Sequence, residues 1–211
     1  MRRLIRLLCI FFIPYYSSWR KFKTSTILPN RYWDYFRFRI HRSKIYWPKD
    51  KTCLVANARK IYVGINSKIG RPGAYIQGAG GVWIGDYVRF GPGVGILTSN
   101  HDLYNRDQYV KKPIIIGDYC WLGMHAMVMA GVTLGPSTIV GAGSVVTKSF
   151  PEGYCVIGGN PAKIIKKLDM GGVRMPSHPE YYGYIPAKDF TREKHRFIDV
   201  DDKPLEKYRI R

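Results

Sequence analysis

Chemistry that moves a proton at neutral pH most often runs through histidine, and this chain of 211 residues has five: His41, His101, His125, His178 and His195. His101 has a setting of its own. It stands in the run Ser99-Asn100-His101-Asp102, directly before about fourteen residues, 102–115, with little apolar content. A loop of that length is usually functional or disordered. An imidazole near its ordinary pKa suits general-base work. The flanking Asn100 and Asp102 either orient the ring or an incoming substrate, or make the hydrogen bonds of a turn. Metal chemistry is not expected. A three-histidine site needs a third ligand beside His101 and His125, and the patterned part of the chain has none. The four cysteines, Cys9, Cys53, Cys120 and Cys155, form no C-x-x-C pair, which argues against zinc and a disulfide framework and for a reducing compartment.

The element that must position His101 is written in a period of six. From Ile116 the chain reads IGDYCW, LGMHAM, VMAGVT, LGPSTI, VGAGSV, VTKSFP, with Ile116, Leu122, Val128, Leu134, Val140 and Val146 in first place. A helix repeats its apolar positions at 3.6 and a flat strand at 2, so neither gives a six. A hexapeptide period is the signature of a parallel β-helix. Each hexad forms one short strand and one turn, three hexads close a triangular coil, and the first-place aliphatic points into the prism. Glycine in second place lets the corner turn without a Cβ clash. The repeat starts near Val63, irregularly, and stops at Lys163. His101 then falls at a coil corner, where a side chain points outward into a cleft.

The run WLGMHAMVMAGVTLGPSTIVGAGSVVTKSFPEGYCVIGGNPAKII, with TSNHD upstream, resembles the hexapeptide-repeat acyltransferases. Within them it is similar to the maltose, galactoside and nodulation-factor O-acetyltransferases and to enzymes that acetylate bacterial surface polysaccharides. The resemblance covers roughly residues 60 to 168. It implies an all-β fold, a left-handed parallel β-helix, although the usual crossover rule is right-handed. It implies transfer of acetyl from acetyl-CoA to a sugar hydroxyl, in capsule, exopolysaccharide or O-antigen synthesis, with His101 as general base. The backbone N–H of Met124, just after Trp121-Leu122-Gly123, becomes the oxyanion donor. Trp121, with Asn100 and Asp102, lines the acceptor cleft. Coenzyme A falls to Gly123, Met124, Ala142, Thr147, Lys148, Lys163 and Lys166. The galactoside enzyme has arginine at the last two places, so a point charge here replaces a bidentate fork. The resemblance further implies a homotrimer with active sites between subunits.

The remaining segments are appendages. Residues 1–55 form a basic, aromatic N-terminal segment, 56–168 the β-helix domain with its loop at 102–115, and 169–211 an extended tail. Arg2, Arg3 and Arg6 precede the run Leu7 to Ile13, which is far shorter than the roughly 20 residues of a spanning helix. No small-x-small cleavage site follows, so a helix on the membrane surface fits better than a signal peptide. The aromatic and basic residues of 17–51 suit an anionic leaflet, an anionic glycan, or a cap on the open end of the prism. The formal charge of +19 admits nucleic acid, membrane or polyanionic substrates as partners, and no nucleic-acid module is present. The expected place is the cytoplasm, peripheral at the inner membrane face. Competing functions are weaker. A hexapeptide-repeat carbonic anhydrase lacks its third histidine, and a binding scaffold has no need of His101, WLG and the lysines together. Serine acetyltransferases carry a large helical N-terminal domain, nucleotide-sugar enzymes share the fold, and streptogramin-type enzymes leave the basic segment without a use.

Overall fold

The computed structural model describes residues 32–40, 44–172 and 179–210. Its centre is a parallel β-solenoid of three sheets. The first face stacks Leu54–Ala56, Tyr75–Gln77, Gly95–Leu97, Met127–Val128 and Val145–Val146. The second stacks Ile61–Val63, Val82–Ile84, Ile114–Ile116 and Thr133–Leu134. The third stacks Arg89–Phe90, Trp121–Leu122, Ile139–Val140 and Cys155–Gly159, with Ala162–Lys167 added antiparallel at its edge. The chain visits the faces in that order on each coil.

The hexad aliphatics are the core. Ile116, Leu122, Val128, Leu134, Val140 and Val146 are each at most 1% exposed. They stack in register: Ile84 on Ile116 on Leu134, Phe90 on Leu122 on Val140, and Ile96 on Val128 on Val146. Burying each such side chain is worth about 1.5–3 kcal/mol, so the column outweighs any single corner. Cys120 and Cys155 belong to this packing; burial pushes the Cys120 thiol up to about 12 and raises Cys155, as it does Cys53. These thiols are structural. Cys9 lies outside the described residues.

The solenoid starts one strand earlier than the period suggests, at Leu54 rather than near Val63. Partners between Ile116 and Val146 stand 18 residues apart, as Trp121 and Ile139 do, but Leu54 and Tyr75 stand 21 apart. Part of the surplus sits at the corner where Asn57 adopts a left-handed conformation (φ 55°) and leads into the 3-10 turn Ala58–Lys60. Extra corner residues hide a six-residue period without disturbing the strands.

Both ends are covered. At the start, helix α1 (Tyr32–Ile40) and the segment after residue 44 bring Tyr35, Phe38 and Tyr46 against Tyr184, Phe190 and Phe197, with Trp47 packed edge-on to Tyr46. The Tyr46 hydroxyl donates to the Val63 carbonyl at 2.8 Å, tying this aromatic cap to the first coil. At the other end, residues 162–167 form a strand folded back on Cys155–Gly159; Gly159, at φ 100°, allows the reversal.

The C-terminal segment is more than an extended tail. It forms helix α2 (Ala187–Glu193) and 3-10 turns, and it buries Phe190, Phe197, Ile198 and Leu205. It runs over the second face, where the Trp83 indole N–H donates to the Asp201 carbonyl at 2.8 Å and Tyr62 meets Tyr182. Its far end is held by the corner carboxylates Asp86 and Asp118. Arg209 pairs with Asp86 at 2.9 Å, and the Ile210 amide donates to Asp118 at 2.8 Å.

Candidate functional site

Across the excursion that carries His101, the spacing of stacked partners rises from 18 residues to 32, as between Gly95 and Met127, so fourteen residues leave the prism. They form a hairpin at the corner between the first and second faces. Ser99–His101 pairs antiparallel with Tyr109–Lys111, and His101 stands opposite Tyr109. The excursion therefore begins at Ser99 and is over before Ile114, which is buried in the second face; the range 102–115 is displaced by about one strand.

The hairpin sets the histidine. His101 Nδ1 lies 2.7 Å from the carbonyl oxygen of Arg106, which can only accept a hydrogen bond. In the neutral ring Nδ1 must then carry the proton, and Nε2 keeps a free lone pair. The Tyr109 ring packs beside the imidazole, with centroids 4.4 Å apart. The imidazole is exposed, as a base that meets an external substrate must be.

Asp102 serves the turn. Its Oδ1 accepts from the amides of Tyr104 (2.8 Å) and Asn105 (3.0 Å), and these two bonds hold its carboxyl below the usual range. Among the described residues no hydrogen bond joins Asp102 to His101. Asn100 is exposed on the same strand, opposite Val110.

The other residues gather elsewhere. Trp121 stands on the third face, 55% exposed, and Gly123, Met124 and Ala142 occupy the corner between the third face and the first. That corner is built on close approach. A Cβ at Gly123 would lie 2.6 Å from the Ala142 nitrogen, and one at Gly91 would lie 2.6 Å from the Met124 nitrogen. Among the described residues no hydrogen bond uses the Met124 or Ala142 N–H. Thr147 and Lys148 are exposed at the turn leaving the first face, the same corner as His101. Lys163 and Lys166 are exposed on the edge strand of the third face, opposite Gly158 and Val156.

One protomer thus holds the imidazole at one end of its first face and the Met124 amide at the other. Sequence reasoning missed Arg106 and Tyr109, because their bearing on His101 exists only once the hairpin closes. Among the described residues no group of histidine, cysteine and carboxylate is arranged to hold a metal.

The comparisons agree with this architecture. The family model for the bacterial transferase hexapeptide (six repeats) matches residues 113–148. The maltose O-acetyltransferase from Clostridium difficile 630 superposes with a TM-score of 0.52 at 31% identity, covering 67% of this chain and 79% of that one. A hexapeptide-repeat acetyltransferase from Vibrio cholerae O1 biovar eltor, solved with acetyl coenzyme A, gives 0.52 at 27% identity, covering 72% and 85%. The galactoside O-acetyltransferase of Lactococcus lactis subsp. lactis is 34% identical over 101 residues, 46% of this chain and 48% of that protein. The chain spans less than half the length of the curated relatives it matches, 39% of the first of them. The chain belongs to the hexapeptide-repeat acyltransferases, and its prism is the left-handed parallel β-helix of that family.

Proposed function

We propose that this protein is an O-acetyltransferase that moves acetyl from acetyl-CoA to the hydroxyl of a carbohydrate, in the synthesis of a bacterial surface polysaccharide. The observation that carries the reading is the Nδ1 contact of His101 with the Arg106 carbonyl, which leaves Nε2 free as a base. Nε2 takes the proton of the acceptor hydroxyl as its oxygen attacks the thioester carbon. The Met124 N–H meets the oxygen on which negative charge develops, and a fixed backbone donor needs no reorganisation there. Collapse expels the coenzyme A thiolate, and the imidazolium returns the proton to sulfur. Gly123, Ala142, Thr147 and Lys148 would hold the donor along the corners, with Lys163 and Lys166 toward its phosphates. Asn100, Asp102 and Trp121 would wall the acceptor. The test is thiol release from acetyl-CoA with a panel of sugars. Acetyl-CoA binding without transfer to any carbohydrate would remove the proposed acceptor class.

The site is completed by a second copy. With His101 and Met124 at opposite ends of the first face, one subunit's hairpin corner must meet its neighbour's Met124 corner. Two different patches in contact make a heterologous interface, and a rotation of one third of a turn per subunit closes it into a ring of three. The outward residues of the first face suit the inside of such a ring: Leu54 (63% exposed), Tyr75, Met127 and Val145 stack in register. The second face is taken by the chain's own C-terminal segment. Light scattering should give a homotrimer, and an active monomer would overturn this arrangement.

The peripheral membrane contact falls on residues 1 to about 45, most of which lie outside the described residues; among those described, no helix is long and apolar enough to cross a membrane. The Arg-flanked apolar run and its neighbours support binding to an anionic leaflet at roughly 1 kcal/mol per basic residue near the surface. Co-sedimentation with anionic but not neutral liposomes is the expected result. Equal recovery in both supernatants would leave this segment only its capping role.

A further inference from the structure

The outward column of the third face changes character at Trp121. In register it runs Lys68, Arg89, Trp121, Ile139, Val156, with Lys166 beside Val156 on the edge strand. Each of the first five is followed by a buried side chain, Ile69, Phe90, Leu122, Val140 and Ile157, so the column faces outward. Neighbouring strands lie about 4.8 Å apart, which puts Arg89 one coil from the indole and Lys68 two. On the other side of Trp121 the column is apolar until Lys166.

Like charges directly opposite each other in a sheet are destabilising, and Lys68 beside Arg89 is such a pair. Arg71, at the adjoining corner, adds a third cation. Burial first, then Arg89 and Arg71, hold the Lys68 ammonium below its ordinary pKa. Among the described residues neither Arg71 nor Arg89 pairs with a carboxylate. Arg89 and Arg71, with Lys68 beside them, make this end of the column a positive patch that attracts an anion.

Direction decides which substrate brings that anion. On the reading above, the donor runs from Met124 past Ala142 toward Lys163 and Lys166, along the later coils. The acceptor hydroxyl must approach the thioester from the other side, over the earlier coils, where Lys68, Arg71 and Arg89 stand. We propose that these three cations and the exposed ring of Trp121 form an acceptor subsite for a sugar bearing a negative charge, a carboxylate or a phosphate. The sugar ring packs on the indole and the anion lies over the cations. The proposal rests on the acyl-transfer reading and adds the charge of the acceptor to it.

The test uses full-length protein saturated with coenzyme A and three hexoses, each as the neutral sugar, its uronic acid and its 1-phosphate. Calorimetry should give, for at least one anionic series, binding about tenfold tighter than the neutral counterpart at low salt, with the gap narrowing at high salt. The carboxylate and phosphate arms distinguish the two sources of charge. Arg89→Gln and Lys68→Gln should bring the ratio toward one. Equal binding of neutral and anionic sugars by the unmodified protein overturns the subsite. So does a loss in Arg89→Gln that appears in coenzyme A affinity instead. His101→Ala separates the two readings: it should lower turnover by on the order of 10²- to 10⁴-fold while leaving the anionic preference in place, so either idea can fail alone.

Discussion

His101→Ala should lower turnover with a carbohydrate acceptor by on the order of 10²- to 10⁴-fold, the usual range for a lost general base. The effect should fall on kcat, because the ring acts on the hydroxyl proton and does not hold the thioester. The Michaelis constant for acetyl-CoA should barely move. Lys163→Ala and Lys166→Ala should do the reverse, raising that constant with modest loss of turnover at saturation. Met124→Ala should change little, since its contribution is a main-chain N–H that the substitution keeps. Steady-state kinetics with both substrates varied separates the three patterns. The Arg106 carbonyl sharpens the expectation. It fixes the tautomer from the backbone, so side-chain changes at Arg106 should be tolerated, while any change that opens the 99–111 hairpin should cost turnover as His101→Ala does. Full turnover by His101→Ala would remove the mechanism and leave the fold untouched.

What the sequence reveals here follows from how regular each part is. From Ile116 to Val146 stacked partners keep a constant spacing of 18, so inward aliphatics recur at six and can be counted in one dimension. Nearer the start, the 3-10 turn at Ala58–Lys60 breaks the count, and the first coil cannot be read that way although its strands stack as well as the rest. His101 could be singled out because it borders the one long interruption. Its tautomer could not, because the Arg106 carbonyl reaches it only through hairpin closure. The C-terminal segment was hidden for a related reason. Its contacts, Trp83 with Asp201 and Asp86 with Arg209, join residues more than a hundred positions apart and follow no period. A short helix such as Ala187–Glu193, with Phe190 as its buried residue, leaves little periodic signal. The same holds for the cation column, since Lys68 and Arg89 are neighbours only once the coil between them has closed.

Arg209→Met should destabilise the protein by about 1.5–3 kcal/mol at neutral pH, the scale of a charge-assisted hydrogen bond lost from a partly buried cluster. Arg209 bonds Asp86 at 2.9 Å, Asp202 at 3.1 Å and the Tyr62 hydroxyl at 3.2 Å, fastening the C-terminal segment over the second face. Without it, two carboxylates stacked at one corner remain enclosed with no guanidinium between them. The loss should depend on pH. Burial first, and then Asp118, push the Asp86 carboxyl up to about 6, against the opposing pull of Arg209 and the Ile65 amide. Burial raises Asp118 as well, although the amides of Asp86 and Ile210 oppose it. The folded protein therefore holds a proton on Asp86 that the unfolded chain, with a carboxyl near 3.9, has released. The stability tied to that proton is fully present below about pH 4 and is lost as pH rises through about 6. Asp50, Asp102 and Asp199 shift the other way, but they are exposed and screened. Removing the guanidinium takes away the main support of the ionised form, so Asp86 moves higher still and the falling limb extends toward neutrality. Urea unfolding at about pH 5 and about pH 8 should show the Arg209→Met penalty at full size in the alkaline set and much reduced in the acid set, where Asp86 is already neutral. A penalty equal at both values would mean that Arg209 acts through packing alone, with no electrostatic part in holding the segment down.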